Sequence, residues 1–369
     1  FKFEIISYSK DGNEMRNGGN GMNFGIKIEK EPKSNNGNNE KYEWKIMDLN
    51  NGRYDMKMKL KDEGKYLIFI EYDGINLPSS PLQIQVFLKL KPRNYNEMNE
   101  PKLTFGSDGN GNGQFREPCG SVINSNGNIL VCDKNNNRIQ IFESNGKFIS
   151  TFGSEGNKNG QFDHPFGIGI NSKGNIIVSD QFHHQIQILD CEGKFISKFG
   201  SKGNENGQFS NPVGLAIDLN DNILVCDMGN NRIQIFDCEG KFISKFGSFG
   251  NENGQFNHPV GITISSKGNV IVGDIRNHRI QIFDSEGNFI SKFGSEGKEN
   301  GQFSDPWGVC VDFNDNILVC DHSNNRIQIF DSNGVYINQF KVSQPTHAAI
   351  NPKTQEIIVC GRDNKISIF

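Results

Sequence analysis

Phe-Gly recurs at Phe105, Phe152, Phe199, Phe246 and Phe293, and Phe340 continues the series, always 47 residues apart. A fixed period of this length means that one supersecondary unit has been copied, and the fold must be an array of that unit. Each unit reads F-G-S, a Gly/Asn-rich stretch, G-Q-F, P-x-G, an apolar strand, a G-N or D-N turn, I-L-V-C-D, N-N-R-I-Q-I-F, then E-G-K-F-I-S-K-F. Four short strands fit inside it. In residues 199–245 strand a is Val213 to Ile217, b is Ile223 to Cys226, c is Arg232 to Phe236 and d is Lys241 to Phe246. The strands are rich in Ile, Val and Phe and lack proline, as sheet interiors require. Asn, Asp and Gly between them supply the positive φ that tight hairpins need. Four-stranded units of this length predict blades of a β-propeller.

The ends of the array set the blade count. The sixth unit, Phe340 to Phe369, contains strands a, b and c but no d. Lys102-Leu103-Thr104-Phe105-Gly106, before the first unit, reads like a strand d. A six-bladed ring over residues 99–369, closed by that early strand, leaves no open edge, whereas an open solenoid would want capping repeats. Strand a lies nearest the axis. Its small residues Gly120, Gly167, Gly214, Gly261 and Gly308, with His347 in the sixth blade, are expected to face the channel.

Residues 1–90 alternate in hydrophobicity without a repeat. Phe3 to Ser7, Phe24 to Ile28, Tyr54 to Leu60, Tyr66 to Tyr72 and Leu82 to Leu88 read as strands, with turns at Asp11-Gly12, Asn50-Asn51-Gly52 and Asp73-Gly74. A small β-sandwich is the expectation. Residues 91–98, containing Pro92, read as a linker with some freedom. The fold class is therefore all-β.

The repeat units resemble the NHL-repeat family in G-Q-F-x-x-P-x-G, V-x-D-x-x-N-x-R-I-Q-I-F and the closing F-G. Departures are local: Gln185 stands where other units have Arg138, Arg232, Arg279 and Arg326, and the sixth unit lacks the GQF loop and has Gly361 for Asp. The first ninety residues look like a filamin-type immunoglobulin-like repeat, through D-x-N-N-G-R-Y (Asp48 to Tyr54), E-G-x-Y (Glu63 to Tyr66) and Pro78-Ser79-Ser80-Pro81-Leu82. Ser79 replaces the usual Gly, and the first strand of that fold is expected to be missing. A filamin-type repeat followed by NHL repeats resembles the C-terminal half of the tripartite-motif (TRIM) NHL proteins. The resemblance implies upstream RING, B-box and coiled-coil parts in the parent protein. These would bring zinc, oligomerisation and ubiquitin-ligase activity, with the filamin–NHL half choosing partners.

The composition narrows the function classes. Residues 1–90 hold 14 Lys+Arg against 13 Asp+Glu, and the remainder 25 against 30. The basic excess usual in phosphate-gripping domains is absent. No apolar run approaches the ~18 residues that span a bilayer. The eight cysteines form no C-x-x-C pair, and Cys132, Cys226, Cys320 and Cys360 recur at one strand-b position where Ser179 and Gly273 also stand. They read as buried filler in a reducing, cytoplasmic setting rather than as zinc ligands or disulfide halves.

In a propeller the d–a and b–c connections of every blade share one face. The Asp, Asn/His and Arg of the b–c loop recur (Asp133, Asn137 and Arg138, or Asp274, His278 and Arg279), so they read as loop-ordering groups. What varies is the pair after the Asp and the x of P-x-G. These positions gather Phe166, Phe182, Met228, Ile275 and Trp307, with Lys134, His183, Arg276 and His322 among them. One reading is a partner-binding surface of apolar anchors with an arginine; the other is that Trp307 and Phe166 merely plug gaps between blades. The seven histidines (His164, His183, His184, His258, His278, His322, His347) spread around the ring, which favours structural roles over a metal site.

Three functions compete. A protein-interaction platform, taking partners or ubiquitination substrates, is favoured. Single-stranded RNA binding, as in NHL domains that resemble this one, would use Phe166, Phe182 and Trp307 for stacking. Against it, the five long d–a loops carry four cations and nine anions. Catalysis, as in metal-binding lyase or lactonase propellers, needs carboxylates or histidines converging in the channel, and the channel set offers only His347. No catalytic residue, cofactor, small-molecule substrate or membrane partner is expected of this chain.

Overall fold

A computed structural model describes residues 100–369 continuously, together with Tyr95, Met98 and the strands of the first ninety residues. The chain divides into two compact units, Phe1–Pro92 and Arg93–Phe369.

In the first unit Arg53–Lys59 pairs antiparallel with Lys2–Ile6 on one side and Glu43–Asp48 on the other. In a second sheet Gly64–Tyr72 pairs with Phe24–Lys30, Ile75–Asn76 and Leu82–Val86. Glu43–Asp48 is a strand that the alternation reading passed over. The three expected turns of this unit, the Ser79 segment and most of the expected linker lie outside the described residues.

The second unit is a propeller of six four-stranded antiparallel sheets, each in the order a-b-c-d. Blade one comprises Pro118–Ile123, Ile129–Asp133, Arg138–Phe142 and Phe148–Phe152, and the next four repeat it. Blade six comprises Pro345–Ile350, Ile357–Gly361 and Lys365–Ile368, and its outer strand is Leu103–Phe105. Ile366, Ser367 and Ile368 pair with Phe105, Thr104 and Leu103, and the Lys102 amide donates to Ile368 O at 2.7 Å. Blade six's inner strand packs on blade one's, so the ring closes as the complementary ends require.

Two repeat-encoded devices hold neighbouring blades together. In the outer half, the strand-d Phe of one blade meets the GQF Phe and the strand-c Phe of the next. Phe199, for example, lies 4.8 Å from Phe236 and 6.4 Å from Phe209 between ring centroids. The GQF phenylalanines Phe115, Phe162, Phe209, Phe256 and Phe303 are wholly buried. In the inner half, P-x-G is a β-bulge: Pro165 pairs with Asp180 and Ile168 with Val178, so Phe166 and Gly167 together oppose Ser179. The bulge turns the glycine onto the next blade. A Cβ on Gly120, Gly167, Gly214 or Gly261 would overlap the carbonyl oxygen of Phe166, Val213, Val260 or Trp307. These glycines therefore fill the contact between inner strands, not the open channel as expected, because the bulge rotates them sideways.

Tyr95 and Met98 are buried in a cluster with Leu318, Phe340 and Phe369, and the Tyr95 hydroxyl donates to Asp312 Oδ2 at 2.6 Å. The Phe340 and Phe369 rings lie 4.6 Å apart, tilted at 53°.

Candidate protein-interaction face

The loop face is built on a buried aspartate in each of blades one to five, with Gly361 in its place in blade six. Asp227 accepts from the Ser210 amide (2.7 Å), Asn230 Nδ2 (2.8 Å), Arg232 Nε (2.7 Å) and Gln234 Nε2 (3.1 Å). It thereby ties the d–a loop, the b–c turn and strand c to one carboxylate. Asp133, Asp274 and Asp321 repeat this with Arg138, Arg279 and Arg326. In blade two, where Gln185 replaces the arginine, Asp180 instead takes His183 Nδ1 at 2.9 Å and Gln185 Nε2 at 2.8 Å. Burial pushes the Asp227 and Asp274 carboxyls up from their usual range, against the pull of their donors.

The neighbouring Asn/His position links blades. Asn137, His184, Asn231, His278, Asn325 and Asn364 all have left-handed backbone, a conformation that Asn, Asp and His adopt most readily among non-glycine residues. Each side chain accepts the backbone amide of the residue before the next blade's proline. The pairs are Asn137 with His164 (2.9 Å), His184 with Asn211 (3.0 Å), Asn231 with His258 (2.9 Å), His278 with Asp305 (3.4 Å), Asn325 with Gln344 (2.9 Å) and Asn364 with Glu117 (2.9 Å). As acceptors His184 and His278 carry no proton on Nδ1, and burial lowers the His184 pKa, with Lys202 adding to the effect. The recurrent loop residues are thus scaffold, as their repetition indicated.

On this scaffold the variable positions converge at the mouth of the channel. Cys119, Phe166, Val213, Val260, Met228, Ile275 and Trp307 belong to one apolar cluster. Phe166 and Trp307, from blades two and five, approach to 6.3 Å. Trp307 also stacks on His322 at 4.9 Å and 22°. Phe166, Ile275 and His322 are buried, Trp307, Met228, Lys134 and His183 are half-buried, and Phe182 and Arg276 are exposed. Phe182 stands apart on blade two, with its ring 4.4 Å from His164. The grouped residues therefore comprise a plug, a half-open Trp307 and outlying exposed groups.

The seam between blades six and one carries a feature that the repeat concealed. Glu117 accepts from Lys134 Nζ at 3.0 Å and Arg362 Nη2 at 2.9 Å. Lys134 lies 6.0 Å from the Phe166 ring centroid and Arg362 5.6 Å from that of Trp307. Burial pushes the Glu117 carboxyl up, but the bonds from Arg362 and Lys134 together outweigh it and hold the pKa below its usual range. Arg362 follows Gly361, where the blade motif degenerates, and that degeneracy was the signal that could have drawn attention to it. Deeper at the same seam, His347 Nδ1 lies 3.3 Å from the Ser121 amide and 3.2 Å from Ser121 Oγ. Burial depresses the His347 pKa to about 4. Thr346 Oγ1 lies 2.9 Å from Pro118 O and 3.0 Å from Cys360 O.

Among the described residues no three His, Cys, Asp or Glu side chains are grouped to hold a metal ion. Among the described residues no helix is long and apolar enough to cross a membrane. All eight cysteines are free, six of them buried.

Family models agree with this architecture. The NHL repeat model matches residues 115–142, 209–236, 256–283 and 303–330, and the filamin/ABP280 repeat model matches 1–83. The chain is 34% identical over 146 residues to E3 ubiquitin-protein ligase TRIM71 of Mus musculus, covering 40% of this chain and 16% of the relative. It is 38% identical over 90 residues to Protein lin-41 of Caenorhabditis elegans, covering 24% and 8%. These matches span less than a fifth of the relatives' length. Among solved structures, virginiamycin B lyase of Staphylococcus aureus superposes with TM-score 0.52 at 15% identity, covering 94% of this chain and 99% of that one. A gluconolactonase of Xanthomonas campestris superposes with TM-score 0.56 at 12% identity, covering 70% and 88%. At such identity the likeness is one of fold alone. The chain joins a filamin repeat to an NHL-repeat propeller and is homologous, over its C-terminal region, to the TRIM-NHL proteins TRIM71 and lin-41.

Proposed function

We propose that this chain is the partner-recognition half of a RING-type ubiquitin ligase, working as a protein-interaction platform in the cytoplasm. The observation that carries the reading is the homology to relatives named as ubiquitin ligases, in a chain whose own matched models are a filamin repeat and NHL repeats. The division of the loop face supports it. A recurrent network of Asp, Asn/His and Arg, altered only at Gln185 of blade two and Gly361 of blade six, holds freely varying residues, which is how a rigid scaffold presents a specific surface. Eight free cysteines fit a reducing compartment.

The competing reading is single-stranded RNA recognition in post-transcriptional control. The excess of anions on the d–a loops disfavours it, since RNA affinity rests on phosphate-facing cations. Fluorescence anisotropy of a labelled random single-stranded RNA pool, at low and physiological salt, separates the two. The expected result is no submicromolar binding at either salt. It should be accompanied by capture of protein partners that a Phe182→Ala, Arg276→Gln, Trp307→Ala variant loses. Submicromolar RNA binding that weakens steeply with salt and disappears in that variant would replace the platform by an RNA reader.

A further inference from the structure

At the seam of blades six and one the loop face holds an open concavity of about 540 Å³, lined by Asp108, Arg116, Asn135, Gln344, Arg362 and Asn364, with Glu117 at its floor. This volume is in the range of ligand pockets. Its hydrogen-bonding inventory is lopsided. Both carboxylates are engaged, Glu117 by Lys134 and Arg362 and Asp108 by Asn364 Nδ2 at 3.2 Å. The donors are not. The Arg116 guanidinium and the Asn135 and Gln344 amides have no side-chain partner among the described residues, and Arg362 uses Nε and Nη2 on Glu117 while its side chain stays 39% exposed. What the concavity can still bind is an acceptor, and an anionic one satisfies two guanidinium groups best.

The surroundings select the kind of anion. Trp307, half-buried beside Arg362, offers an apolar surface next to the charge. In blade two Gln181, which occupies the position of Lys134 and Arg362, has its Oε1 buried without a hydrogen-bond partner among the described residues. An extended chain crossing the mouth supplies both an apolar side chain and backbone N–H donors. A phosphate backbone needs a track of cations, whereas this concavity has only Arg116 and Arg362, with Asp108 and Glu117 beside them.

We propose that this concavity binds an acidic peptide segment of a protein partner. Side-chain carboxylates meet Arg116 and Arg362, and an apolar residue covers Trp307. The proposal rests on the platform reading and deepens it.

The test is selection of a random twelve-residue phage-displayed peptide library on the whole chain, followed by anisotropy of the enriched peptides. Enriched sequences should carry Asp or Glu beside an apolar residue. Replacing those acids with Asn or Gln should lower affinity at least tenfold, and Arg116→Gln, which breaks no bond within the protein, should do the same. Arg362→Gln should weaken binding further, while Lys173→Gln, on the opposite face, should change nothing. Peptides without acidic bias, or acidic peptides bound equally by Arg116→Gln, overturn the site and leave the platform standing. A library that yields no binder while the random RNA pool binds overturns both.

Discussion

Replacing His347 should uncouple part of the propeller's stability from pH. In the fold its Nδ1 faces the Ser121 N–H and so must be unprotonated, and burial lowers its pKa from 6.5 to about 4. In the unfolded chain the ring titrates near its ordinary value. Because the folded pKa is depressed, the unfolded state binds the proton more tightly. The stability this histidine contributes is whole above about pH 6.5 and is lost as pH falls toward about 4. At about 1.4 kcal/mol per pH unit the full loss is about 3 kcal/mol, and about 2 kcal/mol is gone by about pH 5. The assay is urea unfolding at pH 7.5 and 5 in a Trp44→Phe background, so that Trp307 alone reports on the propeller. His347→Ala should be less stable than its parent at pH 7.5, by about 1–2 kcal/mol for the lost bond and packing. Between the two pH values it should lose about 2 kcal/mol less than its parent. Carboxylates and the other histidines titrate alike in both proteins and cancel in the difference. Equal losses in parent and variant, or an NMR titration of the His347 ring with its midpoint near 6.5, would refute the reasoning.

The same geometry makes other predictions. Gly214→Ala forces a methyl onto the Val260 carbonyl and should lower urea stability by at least about 2 kcal/mol; adding Val260→Ala to that variant should not restore it, since the clash is with backbone. Phe236→Ala, at a fully buried ring in a three-phenylalanine seam, should cost about 3–5 kcal/mol, whereas Phe182→Ala at 47% exposure should stay within about 0.5 kcal/mol. Asp227→Asn leaves Arg232 buried without its counter-ion and should cost about 3–5 kcal/mol, read from the same unfolding curves.

The period of 47 residues was enough to place the blades, the strands within them and the closing strand, because each is a local pattern repeated with its turn chemistry. In blade three the expected strand c, Arg232 to Phe236, is the observed one. The periodicity argument is weakest where copies diverge. Blade six lost the GQF loop, and its departure at Gly361 was the cue to Arg362. Glu43–Asp48, in the first unit, had no repeat to support it.

The candidate face divides along the same line. That Asp133, Asn137 and Arg138 order loops was legible, since residues present in nearly every copy answer a need every copy has. What they bond to was not: the amide before the next blade's proline belongs to a different repeat. Likewise the variable residues could be assigned to one face, but not sorted into buried Phe166 and Ile275, half-open Trp307 and exposed Phe182. That sorting depends on how six inner strands meet at an axis. The sequence alone determined the unit, its count and the closure of the ring, because strand pairing and turn formation depend on neighbours along the chain. Only the tertiary structure decided that Phe166 meets Trp307 across the mouth, and that Glu117 sits between Lys134 and Arg362. Those contacts join residues far apart in sequence, and they exist only once the ring has closed.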